Sequence, residues 1–127
     1  MNFLLVTLGG ALGSGLRYLL TWGIAVRLGE SFPFGTLAVN VIGSVAIGFF
    51  ATISGPEGRW LVPPAGRLFF MTGVCGGFTT FSAFSLQTLH LARNADWLYA
   101  GLNILGSVAL CLIGVWLGHV LAAALNR

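Results

Sequence analysis

Apolar residues fill four long stretches of the chain, from about Phe3 to Val26, Phe34 to Ile53, Leu68 to Leu91 and Trp97 to Leu125. Polar and helix-breaking residues collect between them, in Arg27–Pro33, Ser54–Arg67 and Ala92–Asp96. Each stretch meets the roughly 20 residues that a helix needs to cross about 30 Å of hydrocarbon. The pattern predicts an all-α integral membrane protein: four transmembrane helices in a single membrane domain over residues 1–127. All four prolines (Pro33, Pro56, Pro63 and Pro64) fall in the connections, where a missing N–H does least harm. No second domain, low-complexity tract or internal repeat is visible.

Composition removes the soluble alternative. The 127 residues are 57% hydrophobic and 7% charged, with a mean hydropathy of +0.93. A soluble domain is about 25% charged, and one this small buries only about 60–70% of what its unfolded chain exposes. Disorder would need low hydrophobicity and high net charge. The first stretch lacks the basic n-region of a cleaved signal peptide and is long enough to stay in the bilayer.

The charges are six arginines and three acids, with no lysine. Seven lie in the connections; the others are Arg17, inside the first stretch, and the terminal Arg127. A net charge of +3, scattered in this way, offers no patch for nucleic acid. Four spans put Arg59, Arg67 and Arg127 on one side and Arg27 and Arg93 on the other. Three against two is a feeble positive-inside bias. Either the orientation is undecided by charge, or the chain inserts both ways up. Small residues at helical spacing (Gly9 with Gly13, Ser44 with Gly48, Gly114 with Gly118) allow close helix approach. They suit packing within a subunit and between subunits, and a homodimer is the expected assembly.

The third stretch is interrupted. Around its centre runs Gly73-Val74-Cys75-Gly76-Gly77-Phe78-Thr79-Thr80-Phe81-Ser82-Ala83-Phe84-Ser85. Paired glycines and paired threonines make a poor helix interior, and Thr79 or Thr80 can cap a new helix. The sequence predicts a helix that stops near Gly76 and restarts near Thr80. In lipid each freed backbone group costs several kcal/mol unless protein, water or an ion meets it. Broken spans therefore mark ion sites in many transporters, although a glycine-permitted kink is the blander account. Freed carbonyls suit Na⁺, and freed N–H groups suit an anion. Beyond the break, Phe81 and Phe84 share one helix face, and Ser82 and Ser85 share the next. Aromatic rings at this spacing usually pack; beside hydroxyls, their positive edges can also face an anion.

Elsewhere, Asn40 and Ser44 align on the second span, and Asn103, Ser107 and Cys111 on the fourth. Both lines suit inter-helix hydrogen bonds or a polar path. Arg17 has no intramembrane acid to pair with, because Glu30, Glu57 and Asp96 all belong to connections. Cys75 and Cys111 read as reduced, small hydrophobes, and His90 and His119 as interfacial groups without a role. No nucleotide-binding loop or catalytic triad is present, and no enzyme is expected. A small multidrug exporter would need a buried carboxylate, which the spans lack. A non-transporting scaffold would leave the interrupted third span unexplained.

Three motifs now carry a resemblance. Gly9-Gly10-x-x-Gly13-Ser14-x-x-Arg17-Tyr18, Gly35-Thr36-Leu37-Ala38-Val39-Asn40-x-x-Gly43-Ser44 and Gly76-Gly77-Phe78-Thr79-Thr80-Phe81-Ser82-Ala83-Phe84 resemble, in order and spacing, the CrcB/Fluc fluoride channels. Leu102-Asn103-Ile104-Leu105-Gly106-Ser107 is similar to that family's fourth span. The resemblance implies a passive fluoride-selective channel of the bacterial cytoplasmic membrane that exports toxic fluoride as an antiparallel, dual-topology homodimer. It implies a structural, untransported Na⁺ at the dimer centre, held by the backbone carbonyls of Gly76 and Thr79. Its fluoride pathway would map to Asn40, Phe81 and Phe84, with Ser82, Ser85 and Ser107 supplying hydroxyls and Arg17 the first-span cation. The chain departs at Ala83, where the family usually has threonine.

Overall fold

The computed structural model describes residues 1–127. Its helices are α1 (Asn2–Leu28), α2 (Phe34–Ile53), α3 (Pro64–Arg67), a π-helical segment π1 (Leu68–Cys75), α4 (Gly76–Phe78), α5 (Phe81–Arg93) and α6 (Trp97–Leu125). The stretch Pro64–Arg93 contains α3, π1, α4 and α5, so four helical stretches are long and apolar enough to cross a membrane. The second and fourth match their predicted limits. The first is longer at both ends. The third begins at Pro64, which sits at the first helical position, where its missing N–H is one of the helix's unpaired donors anyway.

Turn chemistry ends the elements. Gly29 closes α1 at φ 76°, a conformation open to glycine, and its N–H donates to the Ala25 carbonyl at 2.9 Å. Two arginines close other helices. Arg67 donates to the carbonyl and hydroxyl of Ser54 just past α2. Arg59 donates through Nη1 to Leu125 O at 3.0 Å, at the end of α6. Cations at these positions meet the negative ends of the helix dipoles. Asn126 completes this end of the bundle, accepting from the Arg59 N–H and donating to Thr52 O.

Packing divides the molecule into two helix pairs. Along one seam α2 lies against α6; along the other α1 lies against π1 and α4. Backbones touch in both. A Cβ on Gly118 would stand 2.1 Å from Val45 O, and one on Gly13 would stand 2.1 Å from Val74 O. The small-residue pairs read from the sequence therefore serve contacts inside the subunit. Only 20 of 127 residues are buried, so most large apolar side chains face outward, as a lipid-dissolved chain requires.

The third stretch changes partners along its length. Its first half packs on α1, whereas α5 packs on α6. The interruption at Thr79–Thr80 is where it crosses over.

Candidate functional site

The first half of the helix stops two residues later than the sequence predicts, and the second half restarts within one residue of its predicted start. The helix runs on to Phe78; Thr79 (φ −85°, ψ 158°) and Thr80 (φ −154°, ψ 111°) are extended, and α5 starts at Phe81. Thr79 keeps its N–H on the Cys75 carbonyl at 3.0 Å, and its hydroxyl donates to the same oxygen at 2.9 Å. Thr80 is the cap: its Oγ1 accepts from the Ala83 N–H at 3.2 Å. Of the two candidate caps, only the second is used, because Thr79 has turned its hydroxyl back onto the preceding helix.

Asn40 holds the break together. Thr80 N–H donates to Asn40 Oδ1 at 2.7 Å, and Asn40 Nδ2 donates to Thr80 O at 3.0 Å. One side-chain amide thus replaces both backbone partners that a regular helix would have given Thr80. Asn40 and Thr80 are both buried, where a hydrogen bond left unmade is costly. One turn along α2, a Cβ on Gly43 would lie 2.2 Å from the Thr79 methyl. Glycine there lets α2 approach the extended residues closely enough for Asn40 to reach.

This clamp releases carbonyls. In a continuous helix the Thr80 N–H would close on Gly76 O, but it is given to Asn40 instead. The Gly76 carbonyl therefore leaves the ladder, as does that of extended Thr79. The Gly77 carbonyl is reached by the Ser14 hydroxyl of α1 at 3.4 Å.

A cavity of about 400 Å³ opens against the break. Its wall brings together Asn40 and Ser44 of α2, Gly76, Thr79, Thr80, Phe81 and Phe84 of the third stretch, and Ser107 of α6. The Phe81 and Phe84 rings are tilted at 43° with centroids 5.1 Å apart. Phe84 is buried, but Phe81 is 76% exposed, so one wall of the site is open in a single chain. The Asn103–Ser107 line is a real pair: Ser107 Oγ donates to Asn103 Oδ1 at 3.3 Å, and Asn103 Nδ2 donates to Thr88 Oγ1 at 2.9 Å. Thr88 was not marked by the sequence; it lies one turn beyond Phe84, to whose carbonyl its hydroxyl donates at 2.8 Å.

Three predicted site residues stand off this wall. Ser82 is exposed, and its hydroxyl lies 3.3 Å from that of Thr80. Ser85 is exposed and donates to the Phe81 carbonyl at 2.9 Å. Arg17 is half-buried on α1 and lines neither this cavity nor the larger one. The larger cavity, about 680 Å³, lies at the other end of α5 among Tyr18, Glu30, Gln87, His90 and Asp96. Gln87 Oε1 is buried there without a hydrogen-bond partner. A single amide on an amphipathic helix carries no pattern, so nothing in the sequence marks that glutamine.

Over its whole length the chain is similar to known proteins. Residues 4–119 match the family described as CrcB-like protein, Camphor Resistance (CrcB). The chain is 58% identical over 127 residues to a protein of Paramagnetospirillum magneticum named "Fluoride-specific ion channel FluC", covering all of this chain and 99% of that one. A protein of the same name from Opitutus terrae is 60% identical over 124 residues, covering 98% and 94% of the two chains. Another, from Methylocella silvestris, is 51% identical over 127 residues, covering 100% and 97%.

Proposed function

The chain belongs to the CrcB-like family of multi-pass membrane channels, which are not enzymes, and from that premise we propose that it conducts fluoride passively out of the bacterial cytoplasm. The observation that carries this reading is the clamped break facing the cavity. Asn40, Ser107 and the two phenylalanines converge on a hole in an apolar helix bundle that holds no acid. Fluoride is small and strongly hydrated, so a path must replace its water with donors. Asn40 Nδ2 has a second hydrogen beyond the one given to Thr80, and the Phe81 and Phe84 rings offer positive edges. Neutral donors allow entry without the trap that a full charge would make. The exposed hydroxyls of Ser82 and Ser85 and the cation of Arg17 would extend the path outside the cavity.

The working unit in this reading is an antiparallel homodimer of chains inserted both ways up, with the break near the bilayer centre. Its support is the exposed Phe81, the open wall beside it and the near balance of arginines across the spans. Na⁺ would sit between the two breaks. The donor set fits, because the released Gly76 and Thr79 carbonyls are hard oxygen ligands with no carboxylate beside them. One chain offers two such carbonyls, and a second copy would complete four. When bound, Na⁺ supplies positive potential to the anion path and offsets repulsion between the breaks. The chain's own part is to keep those carbonyls turned out of the helix, through Asn40.

A fluoride electrode reading efflux from liposomes tests the assignment. Phe81→Ile is expected to slow efflux at least tenfold while the purified variant stays folded; an unchanged rate would take the ring out of the pathway. Replacing Na⁺ by a large organic cation from assembly onward is expected to abolish conduction, and unchanged flux would refute the ion.

A further inference from the structure

All the thiols of this chain border one cavity. Cys75 and Cys111 are its only cysteines, both are free, and both lie on the wall of the cavity at the break, together with Met71. Met71 and Cys75 stand four residues apart on π1, whose widened turn places them nearly above one another. Cys111 enters from α6, one turn beyond Ser107. Packing alone does not ask for sulfur at three positions around one hole, since each could be an aliphatic group. Two thiols and a thioether on the wall of one cavity, two from π1 and one from α6, form a soft donor set, and such sets select soft cations. No His, Asp or Glu lies on this wall, so the sulfurs are its strongest side-chain ligands for a soft metal.

We propose that the cavity binds one thiophilic cation of the Hg²⁺ class per chain, between Cys75 and Cys111, with Met71 as a third, weaker donor. Two S–H bonds are lost and two metal–sulfur bonds form; two protons leave to the medium and nothing is oxidised or reduced. The bound ion ties π1 to α6 across the cavity. Because Asn40, Phe84 and Ser107 share that wall, the tie closes the space they face. The binding stands on the sulfurs alone; its effect on conduction rests on the fluoride-channel reading.

Hg²⁺ titrated into the purified full chain tests the binding, read by protection of the two cysteines from a maleimide after a wash with a competing monothiol. One equivalent per chain is expected to protect both thiols through the wash. Cys75→Ser and Cys111→Ser are each expected to cut that resistance at least tenfold, and Met71→Leu to cut it less. Two independent equivalents, or single variants that hold the ion as well as the parent, would overturn the site. Cys75→Ala serves as a second variant at the more buried position, and gel filtration confirms that each is folded. In liposomes, Hg²⁺ is expected to stop fluoride efflux through the parent and not through the double variant Cys75→Ser/Cys111→Ser. Protected thiols with continuing efflux would overturn the closure. Absence of efflux before any Hg²⁺ would instead refute the fluoride reading and leave the sulfur site standing on its binding data.

Discussion

Asn40 is the residue on which the local geometry turns. A lone amide on an apolar helix reads equally as an inter-helix bond or as part of a path, and the sequence holds both open. The structure spends its carbonyl and one N–H on Thr80, leaving one hydrogen for anything else. Asn40→Asp sets a carboxylate oxygen against Thr80 O and removes the donor. We expect it to destabilise the protein by about 1–3 kcal/mol, the usual cost of a buried polar group left unpaired, and to slow fluoride efflux at least tenfold. Denaturant unfolding in detergent and liposome efflux check the two parts; loss of efflux at unchanged stability would mean that Asn40 serves only the path. Thr80 allows a finer test. Thr80→Ala removes the cap that meets Ala83 N–H and should cost about 0.5–2 kcal/mol, whereas Thr80→Ser keeps the hydroxyl and should stay close to the parent. Equal unfolding midpoints for the two variants would remove the cap from the account.

The helices were legible in proportion to how simply they bury. The second and fourth spans are continuous apolar runs bounded by Pro33, Ser54 and Asp96, and their limits follow from the sequence. The third was legible only as interrupted. Its break lies at Thr79–Thr80 rather than at the glycines because Gly76 and Gly77 keep helical geometry. Gly77 is small for another reason: a Cβ there would stand 2.5 Å from Gly10 O. The π-helical turn of Leu68–Cys75 has no local sequence signal; it packs against α1, and that contact is invisible to periodicity. The seams make a direct prediction. Gly118→Ala drives a methyl into Val45 O and should cost about 1–3 kcal/mol, as overpacking does. Gly101→Ala meets nothing within 4 Å and should be neutral or stabilise by up to about 1 kcal/mol through helix propensity. Chemical unfolding compares them, and equal effects would contradict the seam.

For the molecule as a whole, the sequence conveys bilayer, span number and family, and the structure adds an open wall. Phe81 is exposed beside its buried partner Phe84. Arg17 and the two outer serines also lie off the cavity, so a single chain gathers only part of the predicted site. If two oppositely inserted copies complete it, orientation becomes testable through charge. Ser31→Arg with Asn94→Arg should bias insertion one way, and Glu57→Arg with Leu61→Arg the other. Each pair alone is expected to lose most fluoride transport, and co-expression to restore it. Full transport by either pair alone would contradict the antiparallel assembly.

Passive fluoride conduction through an acid-free helix bundle needs no proton gradient and no second substrate. Liposomes holding the purified parent chain, loaded with equal fluoride and chloride and followed with ion-selective electrodes, test it most directly. Rapid fluoride efflux is expected without any proton gradient, with chloride retained as in protein-free liposomes. Fluoride release no faster than from protein-free liposomes, or chloride leaving alongside it, would rule out a fluoride-selective channel.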